Sequence, residues 1–320
     1  MILDLGRLVL GGFLLYLGAE WLVKGAAGLA RVLGVRPLVI GVTVVAYGTS
    51  APELMVTLLA AAEGKSDIAL GNVIGSNIAN LGLILGVTAL VAPPLVDRSL
   101  ARREVPVLLL SALAVPAALY DGVISRLEGA LLVLGATAFS WAMLRATSSV
   151  PATAEIAQEA REELAEEAPT LSKPKLVALA LLGLALLLGG GKVFVDGAVA
   201  IAFAFGMSER VVGLTIVAIG TSLPELAASI VAALRGHSSL AIGNVIGSNI
   251  FNALLILGTG AVARPIQGSL VALRFDLCVM GGLTLLAAVL VRTERKISRL
   301  EGFFLVSCYA AFLGALVLMR

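Results

Sequence analysis

The sequence predicts an all-α polytopic membrane protein: ten transmembrane helices arranged as two inverted five-helix repeats. Three observations carry this. The 320-residue chain is 59% hydrophobic, with mean hydropathy +1.03 and only 14% charged residues. A soluble domain of that size needs far more polar surface. The apolar runs are long and continuous rather than alternating, which favours helices over a barrel. Finally, a polar stretch recurs at a constant spacing of 172 residues. Gly48-Thr49-Ser50-Ala51-Pro52-Glu53-Leu54 returns as Gly220-Thr221-Ser222-Leu223-Pro224-Glu225-Leu226. Gly71-Asn72-Val73-Ile74-Gly75-Ser76-Asn77-Ile78 returns unchanged as Gly243-Asn244-Val245-Ile246-Gly247-Ser248-Asn249-Ile250. Val39–Leu90 and Val211–Val262 agree at about 30 of 52 positions, far beyond chance.

Taken in order, the spans run at about Leu5–Val23, Pro37–Ala62, Ile68–Ala92, Val105–Tyr120 and Leu127–Leu144 in the first half. The second half supplies Leu176–Val195, Val211–Leu234, Leu240–Ala263, Phe275–Val291 and Gly302–Met319. Each approaches the roughly 20 apolar residues that a bilayer core requires. Met1-Ile2-Leu3-Asp4 lacks a basic leader segment, so the first span reads as retained. Between the repeats, residues 1–145 and 176–320, lies an acidic linker, 146–175. Its glutamates (Glu155, Glu159, Glu162, Glu163, Glu166 and Glu167) read as a short solvated helix. Fifteen of the 23 Lys and Arg, from Arg145 in the loop that holds this linker to those in the loops after spans one, three, seven and nine, fall on one side. The positive-inside rule places those loops in the cytoplasm and both termini outside. With five spans per half, an odd number, the second half starts on the opposite side, so the repeats are inverted.

The chemistry concentrates where the repeat is polar. In Pro37–Ala62, Pro52 cannot donate to the carbonyl of Gly48, and Gly48 itself relaxes the backbone. A helix break near the midplane is predicted, with carbonyls of partial negative charge at the end of its first half. Pro224 and Gly220 repeat the arrangement. Glu53 and Glu225 each sit mid-span, where a charge is expensive and functional, and no basic residue lies at comparable depth. Thr49 and Glu53 share a helical face, as do Ser76 and Asn80. The available ligands are hard oxygens: two carboxylates, the hydroxyls of Thr49, Ser50, Ser76, Thr221, Ser222 and Ser248, the amides of Asn80 and Asn252, and carbonyls near Ala46 and Ala218. Such a set suits Ca2+ or Na+ and argues against zinc or copper. Two carboxylates are neutralised by one Ca2+ or by two monovalent ions.

Other groups read as structural. Glu20 and Lys24, four apart near the end of the first span, are expected to pair. Asp196 takes the position equivalent to Lys24, near a membrane face, and Asp276 lies at a span boundary. His237, the one histidine, is a loop residue. Cys278 and Cys308 lie in apolar segments and suggest no disulfide framework. Gly71, Gly75, Gly82, Gly86 and their counterparts fit close helix packing. No nucleotide-binding loop or triad-like grouping is visible, so an enzyme is not indicated; nor is a cofactor, a nucleic acid or an obligate protein partner.

At these residues the chain resembles the cation/calcium exchanger superfamily, in its prokaryotic sodium/calcium exchanger-like branch. The paired G-T-S-x-P-E-L and G-N-V-I-G-S-N-I motifs look like that family's alpha repeats, and the resemblance spans the whole length. It implies an ion site of Ala46, Thr49, Ser50, Glu53, Ser76 and Asn80 with Ala218, Thr221, Ser222, Glu225, Ser248 and Asn252. It also implies a multi-pass protein of the prokaryotic inner membrane that exchanges Na+ for Ca2+ by alternating access. Some relatives carry Asp where this chain has Asn252, which leaves two acidic ligands and implies potassium independence. Ca2+/H+ exchange on the same carboxylates is the alternative. The resemblance further implies that the first and sixth spans slide against the other eight. Their glycines (Gly11, Gly12, Gly18; Gly183, Gly189, Gly190, Gly191) suggest a loosely packed sliding contact.

Overall fold

The structure is a computed structural model, and it describes residues 1–96, 98–146, 171–207, 218–293 and 296–318. The acidic linker expected over 146–175 lies almost wholly outside the described residues, as do 211–217 of the seventh expected span. The first half runs α1 (Ile2–Leu33), α2 (Pro37–Thr49), α3 (Ala51–Ala62), α4 (Ser66–Val91), α5 (Arg98–Ala118), β1 (Val123–Ile124) and α6 (Arg126–Ala146). The second runs α7 (Lys173–Ala204), α8 (Ala218–Thr221), α9 (Leu223–Leu234), α10 (Ser238–Ala263), β2 (Ile266–Gln267), α11 (Leu270–Thr293) and α12 (Arg299–Leu318).

Among the described residues, seven helices are long and apolar enough to cross a membrane, and the bent pair α2–α3 makes an eighth. The other two of the ten expected spans are less clear-cut. α5 begins with Arg98, Arg102, Arg103 and Glu104, which shortens its apolar part, and α9 is the 12-residue remainder of the seventh. Helices extend beyond their apolar stretches. α1 and α7 run to 32 residues each, well past Leu5–Val23 and Leu176–Val195. Their outer faces carry exposed Leu, Phe and Val, such as Val9, Phe13, Leu181 and Phe203, as lipid-facing helices do.

The repeat seen in the sequence is a repeat in space. Boundaries of α3 and α9 correspond residue for residue, and both α4 and α10 are interrupted by a π-helical turn, at Asn80–Ile84 and Asn252–Ile256. Ser125 and Glu128 form a capping box at the start of α6, with Ser125 N donating to Glu128 Oε2 at 2.8 Å and Glu128 N to Ser125 Oγ at 3.3 Å. Ser298 and Glu301 repeat it at α12 at 2.7 and 3.3 Å. Each half also lends a helix to the other. α4 packs on α12 with Gly86 against Gly302, and α10 packs on α6 with Gly258 against Gly129. β1 pairs antiparallel with β2, and a bridge from Leu95 to Lys296 occupies the repeat-related place.

The α1–α7 contact corrects the expectation of loose packing. Gly11, Gly18 and Gly25 recur every seven residues on α1, and Gly183, Gly190 and Gly197 do so on α7. A Cβ on Gly183 would lie 2.3 Å from Leu22 N, and one on Gly18 would lie 2.6 Å from Leu187 N. Gly11 meets Phe194 and Gly25 meets Ala180, so the helices are antiparallel and in backbone contact along most of their length. Gly189, by contrast, faces open space. Gly183→Ala is therefore expected to cost about 1–3 kcal/mol through overpacking, read as a lower thermal unfolding midpoint in detergent. Gly189→Ala is expected to leave that midpoint unchanged or raise it, since alanine is the better helix former.

Candidate cation site

Both helix breaks have one local cause. Ser50 leaves the helical region (φ −81°, ψ 10°), and α2 and α3 meet at 48°. The sequence Ser50-Ala51-Pro52-Glu53 is a helix start in itself: serine at the N-cap, proline in the first turn and an acid at the third position. Ser222-Leu223-Pro224-Glu225 does the same for α9. Neither serine caps its own helix, however. Ser50 Oγ donates to Glu225 Oε1 at 3.0 Å, and Ser222 Oγ donates to Glu53 Oε1 at 3.1 Å. The capping interaction is diverted from each half to the other, and this stitches the two breaks together. Both glutamates stay at the positive end of a helix dipole, and each is only 1% exposed.

Asn72 and Asn244, which the sequence reading did not place in the site, hold the breaks open. Asn72 Nδ2 donates to the Glu53 carbonyl at 3.0 Å and to Thr57 Oγ1 at 2.9 Å. Asn244 Nδ2 donates to the Glu225 carbonyl at 3.4 Å and to Ser229 Oγ at 3.0 Å. Thr49 Oγ1 reaches Val45 O at 3.1 Å and Asn244 Oδ1 at 3.2 Å. Their signal was present in the sequence, since both asparagines lie in the motif that returns unchanged.

Most of the predicted site residues come together. Thr49, Ser50, Glu53, Ser76, Asn80, Ser222, Glu225, Ser248 and Asn252 are buried, and Thr221 is partly exposed. The π-turn that starts at Asn80 packs on α9, and the one that starts at Asn252 packs on α3, so each amide lies beside the other half's acidic helix. The Ala46 carbonyl accepts Ser50 N–H at 3.1 Å, so it is not a free helix end; Ser222 N–H instead reaches Ile219 O at 3.1 Å. Ala218 opens α8.

What sets the site apart is its unpaired oxygen. Glu53 Oε2, Glu225 Oε2, Asn80 Oδ1, Asn252 Oδ1 and Ser248 Oγ are all buried without a hydrogen-bond partner. A buried polar atom left so costs about 1–3 kcal/mol, more if charged, so five in one region call for a compensating positive charge. Among the described residues neither glutamate forms an ion pair, and no cluster of three or more His, Cys, Asp or Glu could hold a metal. The donor set is hard oxygen with two carboxylates, which fits Ca2+ or Na+.

Among the described residues the two flanks of the site differ in packing. A pocket of about 190 Å³ runs from Thr221, Pro52 and Pro224 past Gly191 to Lys192 and Asp196 at the surface. On the repeat-related side Ala19, Val23 and Thr49 are 0%, 2% and 0% exposed. α1 lies along α9 there, whereas α7 makes only marginal contact with α3. Contrary to expectation, Glu20 does not take Lys24 as its partner. It binds Arg235, whose Nε and Nη2 lie 2.8 and 2.7 Å from Glu20 Oε1. Asp196 pairs with Lys192 at 2.9 Å on its own helix.

A membrane-embedded repeat pair that buries facing carboxylates among unpaired oxygens defines an ion antiporter. The chain belongs to the sodium/calcium exchanger protein family, which it matches over residues 3–144 and 175–318. It is 34% identical to the sodium/calcium exchanger MaX1 of Methanosarcina acetivorans, over 97% of both chains. It is 38% identical to the inner membrane protein YrbG of Escherichia coli, over 99% of this chain and 97% of that one. Its fold matches the sodium-calcium exchanger NCX_Mj, from crystals soaked with Na+ and Ca2+, with a TM-score of 0.83 and 32% identity over 99% of each chain.

The asparagine clamps make a direct test of the site's construction. Asn244→Ala strands the Glu225 carbonyl, the Ser229 hydroxyl and one acceptor of Thr49. A loss of about 1–2 kcal/mol, a factor of roughly 5–30, is expected in the folded-to-unfolded ratio. Denaturant titration of the purified protein reads it directly.

Proposed function

We propose that the protein is a secondary antiporter that exchanges Na+ for Ca2+ across a prokaryotic inner membrane, at one site between Glu53 and Glu225. The observation that carries this reading is the set of five buried, unpartnered oxygens, two of them from the carboxylates themselves, with no basic side chain paired to either acid among the described residues. Ca2+ takes six to eight oxygen ligands at 2.3–2.6 Å. Thr49, Ser50, Glu53, Ser76, Asn80, Thr221, Ser222, Glu225, Ser248 and Asn252, with the Ala46 and Ala218 carbonyls, supply the candidates. Kinship with sodium/calcium exchangers supports the choice of ions.

Coupling follows from charge. An empty site holds two carboxylates in a low-dielectric interior, and moving it past an apolar barrier is costly. One Ca2+ or two Na+ neutralises it, so conformational exchange proceeds when the site is loaded and stalls when it is bare. The ten spans form two inverted five-helix halves, with both termini outside and the linker inside. α1 and α7 then move relative to the remaining helices to expose the site to each side in turn.

Reconstituted into liposomes loaded with Na+ and diluted into Na+-free medium, the protein should take up Ca2+, and a choline load should abolish uptake. Uptake indifferent to Na+ but driven by an outward proton gradient would replace sodium by proton coupling. Glu53→Gln and Glu225→Gln are each expected to remove at least 90% of exchange (about 1.4 kcal/mol or more in the barrier) while membrane insertion is retained. Normal exchange in both variants would overturn the site.

A further inference from the structure

The internal repeat allows each side-chain contact on the closed side to be matched to its counterpart on the open side. Glu20 corresponds to Lys192, Arg235 to Glu63 and Lys24 to Asp196, each 172 residues apart. The ion pair Glu20–Arg235 ties α1 to the end of α9, on the side where Val23 and Thr49 are sealed. Its repeat-related counterpart joins Lys192 of α7 to Glu63 at the end of α3, with the charges reversed. In this structure that pair is apart. Lys192 is held by Asp196 at 2.9 Å and Glu63 by Lys65 at 2.6 Å, at the mouth where α7 stands away from α3.

We propose that Glu20–Arg235 and Glu63–Lys192 are alternating latches over the two mouths of the ion pathway, one closed when the other is open. The proposal rests on the alternating-access reading above. When α1 swings off α9, Glu20 leaves Arg235 and falls back on Lys24, four residues along its own helix, as Lys192 now rests on Asp196. Lys192 then crosses to Glu63 and fastens α7 to α3. Each latch residue on a moving helix thus has a parking partner one turn away, so neither charge is left unpaired in either state. Because two inverted repeats exchange conformations in such a cycle, the contact made by one half in one state is made by the other half in the next. Exposed pairs of this kind are worth about 0.2–1 kcal/mol. That suits a latch, since it biases two states without freezing either.

The test is thiol labelling of purified protein in a background of Cys278→Ala and Cys308→Ala. A single cysteine is placed at Val23 or at Val195, repeat-related positions that face the sealed side and the open pocket. Maleimide should modify the Val195 site faster than the Val23 site. Glu20→Gln is expected to raise the Val23 rate roughly twofold to fivefold and to lower the Val195 rate. Lys192→Gln should change both rates in the opposite sense, by favouring the present state. The exchanged pair Glu20→Arg with Arg235→Glu, made together with Lys24→Glu so that the parking partner is reversed as well, should return both rates to those of the parent; it also guards against a fold defect in the single variants. Rates unmoved by Glu20→Gln, the same direction of change in Glu20→Gln and Lys192→Gln, or failure of the exchanged pair to restore them would overturn the latches. Thiol labelling needs no ion flux, so that result would leave Na+/Ca2+ exchange standing, and loss of Na+ coupling would leave the latches standing.

Discussion

The reciprocal bonds between Ser50 and Glu225 and between Ser222 and Glu53 are what the rest of the molecule depends on. A helix that starts in mid-membrane exposes backbone donors and acceptors that lipid cannot satisfy. Normally the N-cap side chain would answer that need. Here each serine instead serves the acid of the opposite half, and Asn72 and Asn244 donate to the backbone carbonyls of the two acids. Breaking the helix, burying the acid and joining the halves become one arrangement.

Interlocking of the halves enforces this arrangement. α4 rests on α12 and α10 on α6, each through glycine pairs that bring backbones together. The large buried cluster therefore draws side chains from both repeats, including Ile78, Ile246, Phe251 and Leu305. α1 and α7 lie outside it and share a second, smaller cluster with α9 and α10, through Ala19, Val23, Ala228 and Val231. The helices that carry the two acids are thus packed from two separate cores.

Much of this could be read from the chain alone, because the signals were local or periodic. Pro52 beside Gly48 announces a break wherever it sits in an apolar span, and an acid without a basic partner announces a cation. Relations between distant segments were not legible. Glu20 satisfies the four-residue spacing rule with Lys24, yet Arg235, 215 residues away, reaches it in a better geometry and wins. Nor does anything in Asn80 or Asn252 mark the start of a π-turn, or that each turn packs against the opposite acidic helix. The glycines of α1 and α7 were visible, but counted for content rather than spacing. Their seven-residue period states close contact, whereas their number alone suggested looseness.

That glycine contact has a mechanical consequence. With Gly18 set against the backbone of Leu187 and Gly183 against that of Leu22, α1 and α7 form one beam rather than two independent covers. A beam pivots as a whole: lifting one end presses the other down. Splitting the beam along its length would leave a strip of bare glycine backbone facing lipid. The joint is thus built from the absence of side chains, at six positions where the smallest residue lets the two backbones meet.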